Sequence, residues 1–347
     1  MKVLYVGSVF RPDLTKNNSY FEFSALKETY KKIEVLDCEK FFLLRKITYG
    51  IFHHLSPKIF EPFLNNYILS KIINNYDLIY VNSSSAAYIG KKLILNLKKK
   101  TKKIVVYLTD NPFVDRDKKK WKLYLEAAKY YDFTITPYRS RITLGKKIGV
   151  KNFIYSVPTY QKNVHCKQKL TKNEKRKFSS EVAIIATWFP ERGIFFKKLI
   201  DYGLKIKIYG NRWDKDPDYN TIKSNIILGH VDHPLYSKII QSTKISICLP
   251  SEGNVDGITR RSIEIPAIGT LLCAKRTKEH KRFFLENKEA IFFTSAKDCY
   301  KKCIYFLNNE KKRKKISQNG YIKVTKILKA DYVSVSKRVL KEIYTVN

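Results

Sequence analysis

Residues 245–274 read ISICLPSEGNVDGITRRSIEIPAIGTLLCA. Two short apolar runs, Ile245–Leu249 and Thr270–Ala274, flank a polar, glycine-containing stretch, Pro250–Thr259, and a helical pattern, Arg260–Ile268. Runs of five apolar residues suit strands rather than helices, and strand–loop–helix–strand is the βαβ unit, whose strands lie parallel. The rhythm continues on both sides. Val182–Ala186, Lys205–Tyr209 and Ile226–Leu228 precede it as strands and Ile291–Phe293 follows, with helical patterns between them.

The first half of the chain repeats the scheme. Val3–Val6, Ile33–Leu36, Leu78–Val81, Ile104–Leu108 and Phe133–Thr136 are strand-like, and Tyr20–Lys31, Ala86–Lys99 and Trp121–Tyr130 are helical. Such alternation predicts α/β domains on parallel sheets. Near Gln161–Ser180 the pattern lapses into QKNVHCKQKLTKNEKRKFSS, which reads as a linker. The expected organisation is a first domain over 1–165, a second over 166–330, and a final helical pattern at 331–347 crossing back onto the first. Lys40–Asn75 is apolar and aromatic without a clean strand, and reads as two helices. Core packing is its first explanation, and a surface for a lipid or hydrophobic acceptor its second.

Bulk properties limit the classes. With 347 residues and 44% hydrophobic content, the chain has material for two cores. No run approaches the length of a membrane span, and MKVLYVGS at the N-terminus reads as a first strand, so a cytoplasmic protein is expected. Six cysteines show no C-x-x-C pair, and Cys248 and Cys273 lie in apolar strands, where cysteine acts as a small hydrophobe. The net charge of +37 has three readings: lysine-rich codon bias first, an anionic membrane face second, nucleic acid last. No nucleic-acid-binding signature accompanies it. Lysine outnumbers arginine 54 to 14, so arginines at 192, 212, 260 and 261 are unusual choices.

Ligands of open α/β sheets bind beyond the carboxyl ends of the strands. Four such places are chemically loaded. In Thr187-Trp188-Phe189-Pro190-Glu191-Arg192, a guanidinium projects from a helix start, a combination suited to a diphosphate. In Tyr209-Gly210-Asn211-Arg212-Trp213, glycine admits close approach, and Trp213 either stacks on a base or packs. In the loop ending Asp256-Gly257-Ile258-Thr259, Thr259 is a plausible N-cap, with Arg260 and Arg261 beside it. Glu264 sits among Ile263, Ile265 and Ala267, where an unpaired carboxylate would be costly. Either a ribose or a salt bridge to a nearby cation would satisfy it.

YGNRW (209–213) and TRRSIEIPAIG (259–269), with Thr187-x-x-Pro190-x-Arg192, resemble the signatures of CgeB-like glycosyltransferases. The resemblance covers 181–345, and YLTDNP (107–112) resembles the Asp-Pro loop of that family's N-terminal domains. It implies the GT-B architecture: two Rossmann-like, doubly wound parallel-sheet domains facing across a cleft. It also implies membership of the retaining clan whose donor motif is Glu-x7-Glu, here Asp256 and Glu264. By position, Glu264 would hold the nucleotide ribose and Asp256 would face the transferred sugar. Arg192 and Arg261 would stabilise the departing diphosphate, with Thr187, Gly210, Asn211, Arg212, Gly257, Ile258, Thr259 and Arg260 completing the donor site. Ser8, Ser83, Asp110 and Asn111 lie in loops after strands of the first domain and would face a glycan, lipid or other acceptor. Asp110 would orient its hydroxyl. Neither metal nor cofactor is implied beyond the nucleotide-diphosphate sugar itself. A nucleotide-sugar epimerase, a phosphorylase, and a non-catalytic GT-B-fold protein at an anionic surface are the alternatives.

Overall fold

A computed structural model describes residues 1–9, 18–41, 50–52, 56–115 and 118–345. Contacts divide it into two units: 1–157 with 251–256 and 332–347, and 158–250 with 257–331.

The first unit is built on a parallel sheet of β1 (Lys2–Val6), β2 (Lys32–Leu36), β3 (Tyr76–Asn82), β4 (Thr101–Tyr107), β5 (Phe133–Thr136) and β6 (Phe153–Tyr155), in the order β2-β1-β3-β4-β5-β6. Central strands of a parallel sheet are covered on both faces, which is why β1 and β3 read as continuous apolar runs. Leu4, Val6, Ile79 and Val81 enter one core, with Leu93, Leu97 and Trp121. Val3, Tyr5, Leu78 and Tyr80 enter the other, with Val335, Leu340 and Ile343 of the helix Tyr332–Thr345. Lys103 ties that helix down by donating to the Ile343 carbonyl at 2.6 Å.

Local differences from the sequence reading have local causes. Ala86–Lys99 breaks into Ser83–Ala86 and Lys91–Lys98, because Asn82 caps the first turn and Gly90 interrupts the chain. Strand β6 and the helix Arg139–Lys147 escape periodicity, the strand being three residues long. Part of the Lys40–Asn75 reading, at 42–49 and 53–55, lies outside the described residues. Its described part holds the turns Cys38–Phe41 and Pro57–Phe60 and the helix Glu61–Lys71. Leu64 and Ile68 of that helix are buried in the core, while Phe63 is exposed.

The second unit carries β7 (Ser180–Ile185), β8 (Ile206–Gly210), β9 (Ile226–Leu228), β10 (Thr243–Cys248), β11 (Leu271–Lys275) and β12 (Ile291–Phe293). All pairings are parallel, in the order β12-β11-β10-β7-β8-β9. This is a doubly wound Rossmann-type sheet whose strand order reverses between β7 and β10.

Gln161–Ser180 is not a free linker. The Ser237 hydroxyl donates to the Val164 carbonyl at 2.7 Å, Gln168 and Gln241 exchange two hydrogen bonds, and Lys238 pairs with Glu174 at 2.6 Å. These contacts fix the segment to the helix His233–Gln241. Its polar composition therefore marks surface attachment, and the chain passes from one unit to the other at Val157–Pro158. Among the described residues, no helix is long and apolar enough to cross a membrane.

Candidate active site

The carboxyl ends of β7 and β10 meet at the reversal of the second sheet, the place where open α/β sheets bind ligands. Two loops arrive there, one leading into the helix Pro190–Asp201 and one into the helix Arg261–Ile268.

The first loop is braced from below. Trp213 is fully buried, and its indole N–H donates to the Ala186 carbonyl at 2.8 Å. That settles its two readings in favour of packing. The indole of Trp188 donates to Asp216 at 2.7 Å, and Gly193 leaves room for that carboxylate, which would lie 1.9 Å from an added Cβ. Arg192 is buried, donates from Nη1 to the Thr187 carbonyl at 2.7 Å and covers the Phe189 ring at 5.0 Å. Its orientation is thus set by its own loop. Asn211 and Arg212 are exposed beside it, with Arg212 at a left-handed φ of 68°.

Gly210 joins β8 to this loop at φ +143°, and an added Cβ would stand 2.1 Å from the Ala186 carbonyl oxygen. Gly210→Ala is therefore expected to cost about 3 kcal/mol or more, combining strain at a special φ with a backbone clash. Thermal melting of the variant checks this, and an unchanged Tm would contradict it.

The second loop is held by a buried histidine. His280 Nδ1 lies 2.8 Å from the Lys275 carbonyl and so carries the proton. Nε2 then accepts from the Ser262 hydroxyl at 2.8 Å, and Ser262 Oγ in turn accepts from the Thr259 amide at 3.2 Å. Thr277 donates to the Gly257 carbonyl, and Ile258 is fully buried. Thr259 is consequently not the N-cap. The helix starts at Arg261, with Arg260 at the cap position and no side-chain cap bond, because Ser262 reaches back to the Thr259 amide.

Glu264 projects from that helix into a buried setting, at 6% exposure. Burial alone would raise its pKa. His165, His233, Arg260 and Arg261 together outweigh burial and hold the carboxyl below its ordinary value, so it is ionised at neutral pH. His165 Nε2 lies 3.9 Å from its Oε1. His165 Nδ1 accepts from the Gln161 amide at 2.9 Å, which places the ring proton on Nε2. That Nε2–H meets His233 Nδ1 at 3.1 Å and leaves the His233 proton on its own Nε2. Burial keeps both rings neutral and pushes His233 down to about 4. Tyr236 closes the group: its ring lies 5.9 Å below the Arg261 guanidinium and 5.8 Å from the His165 ring. Burial, then the Glu264 charge, push its phenol well up, so it stays protonated.

These histidines give the unit a defined acid response. His233 and His280 are each pushed from 6.5 down to about 4, chiefly by burial. The unfolded chain binds those protons first, so their contribution is complete above about pH 6.5 and declines as pH falls toward 4. Glu264 acts in the same sense, losing its contribution as pH falls through its lowered value. Tm is expected to drop across that window, with a shallower slope in His280→Asn. An equal slope in the variant and the parent would contradict the assignment.

The remaining expected residues lie in the first unit. Ser8 donates to Asp37 at 3.2 Å and Ser83 accepts from the Asp110 amide at 3.1 Å, at the ends of β1 and β3 where that sheet's order reverses. Asn111 is buried, accepting from the Phe113 amide at 3.1 Å and donating to the Asn254 carbonyl at 2.8 Å. Asp256 pairs with Arg141 at 3.0 Å, and Arg141 is itself fully buried over the Tyr138 ring at 3.7 Å. Between Asn254 and Asp256, Val255 holds a φ of 54°, rare for a β-branched residue.

Sequence reading missed His165, His233, Tyr236, His280 and Arg141. For the histidines and Arg141 a weak signal existed in the scarcity of the residue types, with six histidines in all and 14 arginines among 68 cations. Asp-x-Asp spellings also occur, at 115–117 and 214–218. Asp216 is structural: one carboxylate oxygen accepts from Trp188 and the other from the Asp218 amide at 2.9 Å.

Residues 192–333 match a family model described as glycosyl transferase-like. A search of curated proteins gives no match. Solved structures similar to the whole chain include sucrose-phosphate synthase from Thermosynechococcus elongatus, at 11% identity, full coverage of both chains and a TM-score of 0.73. Anabaena HepE, solved with UDP and glucose, matches at 11% identity, full coverage of both chains and a TM-score of 0.65. An E. coli structure described as trehalose-6-phosphate, bound with UDP-2-fluoro glucose, matches at 11% identity, full coverage of both chains and a TM-score of 0.67. The fold of the two sheets is that of these GT-B proteins, and the chain carries a glycosyl transferase-like region over 192–333 that includes Glu264, His233 and Tyr236.

Proposed function

We propose that the protein transfers a sugar from a nucleoside diphosphate, a UDP-sugar in the first instance, to a glycan or lipid-linked acceptor. The observation that carries this reading is Glu264: a buried, ionised carboxylate at the reversal of the second sheet, surrounded by two neutral histidines and two arginines. A carboxylate there accepts hydrogen bonds from both ribose hydroxyls. The UDP and UDP-sugar complexes of HepE and the UDP-2-fluoro glucose complex support the choice of donor class.

In this reading Arg192 and Arg261 face the diphosphate with the amides of Gly257 and Ile258, beside Thr259. As the glycosidic bond to the donor breaks, negative charge collects on the leaving phosphate oxygen, and pre-positioned cations stabilise it. Arg192 suits the task because its loop already fixes the guanidinium through Thr187 and Phe189. Thr187, Gly210, Asn211, Arg212 and Arg260 border the donor. Asp256 orients the transferred sugar, and Asp110 orients the acceptor hydroxyl, with Ser8, Ser83 and Asn111 shaping the surrounding loops. CgeB-like membership, retention at the anomeric carbon and independence of metal belong to the same proposal and rest on the signatures at 209–213 and 259–269.

Incubating the purified protein with UDP-glucose, UDP-N-acetylglucosamine and GDP-mannose, with chelator present, tests the reading. Release of nucleoside diphosphate from one of them is expected. Release from none, or release that chelator abolishes, would overturn donor class or metal independence respectively.

A further inference from the structure

The second unit holds a second concave surface, away from the Glu264 cluster. Its cavity of about 890 Å³ lies where the helices Ala296–Asn308 and Glu310–Ile322 meet the turn at Asn287–Lys288. No residue assigned above to the donor borders it. Phe306, Ile316 and the ring of Tyr305 give it an apolar floor, and the polar groups are mainly lysines.

We propose that this cavity receives the phosphate headgroups of an anionic lipid bilayer. Lys288, Lys301, Lys312 and Lys315 line it, and none has a carboxylate within 4.0 Å among the described residues. Neighbours differ: Lys302 pairs with Asp298 at 3.3 Å and Glu286 at 3.7 Å, and Lys314 pairs with Glu310 at 2.6 Å. Lysine abundance explains many cations. It does not explain four converging on one apolar cavity while the acids nearby are committed elsewhere. Four like charges around low-dielectric walls attract a polyanion.

The apolar component selects the source of that anion. A soluble phosphate needs donors and no hydrocarbon floor, whereas a headgroup with its glycerol and upper acyl carbons needs both. Tyr305 is 45% exposed, with Lys312 Nζ donating to its hydroxyl at 2.5 Å. An amphipathic ring with a polar tip beside lysines is the arrangement favoured at a bilayer interface. Ile322, three residues beyond the lining residue Asn319 on the same helix, is 39% exposed. This inference does not depend on the donor assignment.

Co-sedimentation of the full-length protein with vesicles tests it. One set contains equal parts phosphatidylglycerol and phosphatidylcholine, the other phosphatidylcholine alone. Binding is expected only to the first, and is expected to weaken at high salt. Lys288→Ala, Lys301→Ala, Lys312→Ala and Lys315→Ala combined should lower partitioning on the order of a hundredfold or more, since each lysine near an anionic surface contributes roughly fivefold. The control removes equal charge elsewhere, with Lys31→Ala, Lys32→Ala, Lys99→Ala and Lys100→Ala, and should bind within a few-fold of the parent. Circular dichroism and melting confirm that both variants fold. Equal loss in both variants, or no vesicle binding by the parent, overturns the proposal. So does a response of the parent to soluble polyphosphate or to an acidic peptide without vesicle binding.

Discussion

Glu264→Ala is expected to weaken UDP binding by roughly a hundredfold or more, because two charge-assisted hydrogen bonds to the ribose are lost at about 1.5 kcal/mol or more each. Titration calorimetry reads the change. The substitution also removes the anion against which His165, His233, Arg260 and Arg261 are arranged, so part of a measured loss reflects reorganisation. A second ligand separates the two effects. The parent should prefer UDP to its 2′-deoxy analogue, and Glu264→Ala should bind the two alike. If the variant keeps the preference, the carboxylate does not hold the ribose. Glu264→Gln, which keeps shape and loses charge, should fall between the parent and alanine.

Arg192→Ala should lower kcat by about a hundredfold to a thousandfold, the range seen when one pre-positioned group is removed from developing charge. KM for the donor should move much less, since the guanidinium matters most as the phosphate oxygen gains charge. Arg192→Lys is not a conservative control. Lysine cannot at once donate to the Thr187 carbonyl, cover Phe189 and offer a second planar donor, so most of the loss should remain. A variant that loses affinity and keeps kcat would place Arg192 in ground-state binding alone.

The two effects come from parts of the site that were unequally visible in the sequence. Arg192 was legible because arginine is scarce in a lysine-rich chain and because a strand ends just before it. Glu264 was legible because an acid among isoleucines on a helix must find a partner. The partner itself was not legible. His165 meets His233 across 68 residues, from a polar stretch whose composition resembles a linker, and no local periodicity encodes a contact at that distance. His280, which braces Ser262 from 18 residues away, was hidden for the same reason.

The strands of the second sheet read clearly because each is a short β-branched or aromatic run bounded by turn residues. Their order, and hence the reversal between β7 and β10 that locates the site, is a property of pairing and cannot be read from any one run. The loop 251–256 is the sharpest case of that limit. Sequence spacing puts Asp256 eight residues before Glu264, yet contacts group it with the first unit, where buried Arg141 takes its carboxylate.

The central claim is that the reversal of the second sheet binds a nucleoside diphosphate through an ionised Glu264. Calorimetric titration of UDP into the full-length protein at neutral pH tests it most directly. Saturable binding at one site per chain, abolished or strongly weakened in Glu264→Ala, is the predicted result. An absence of binding by UDP and GDP alike, or equal affinity in the parent and the variant, would contradict it.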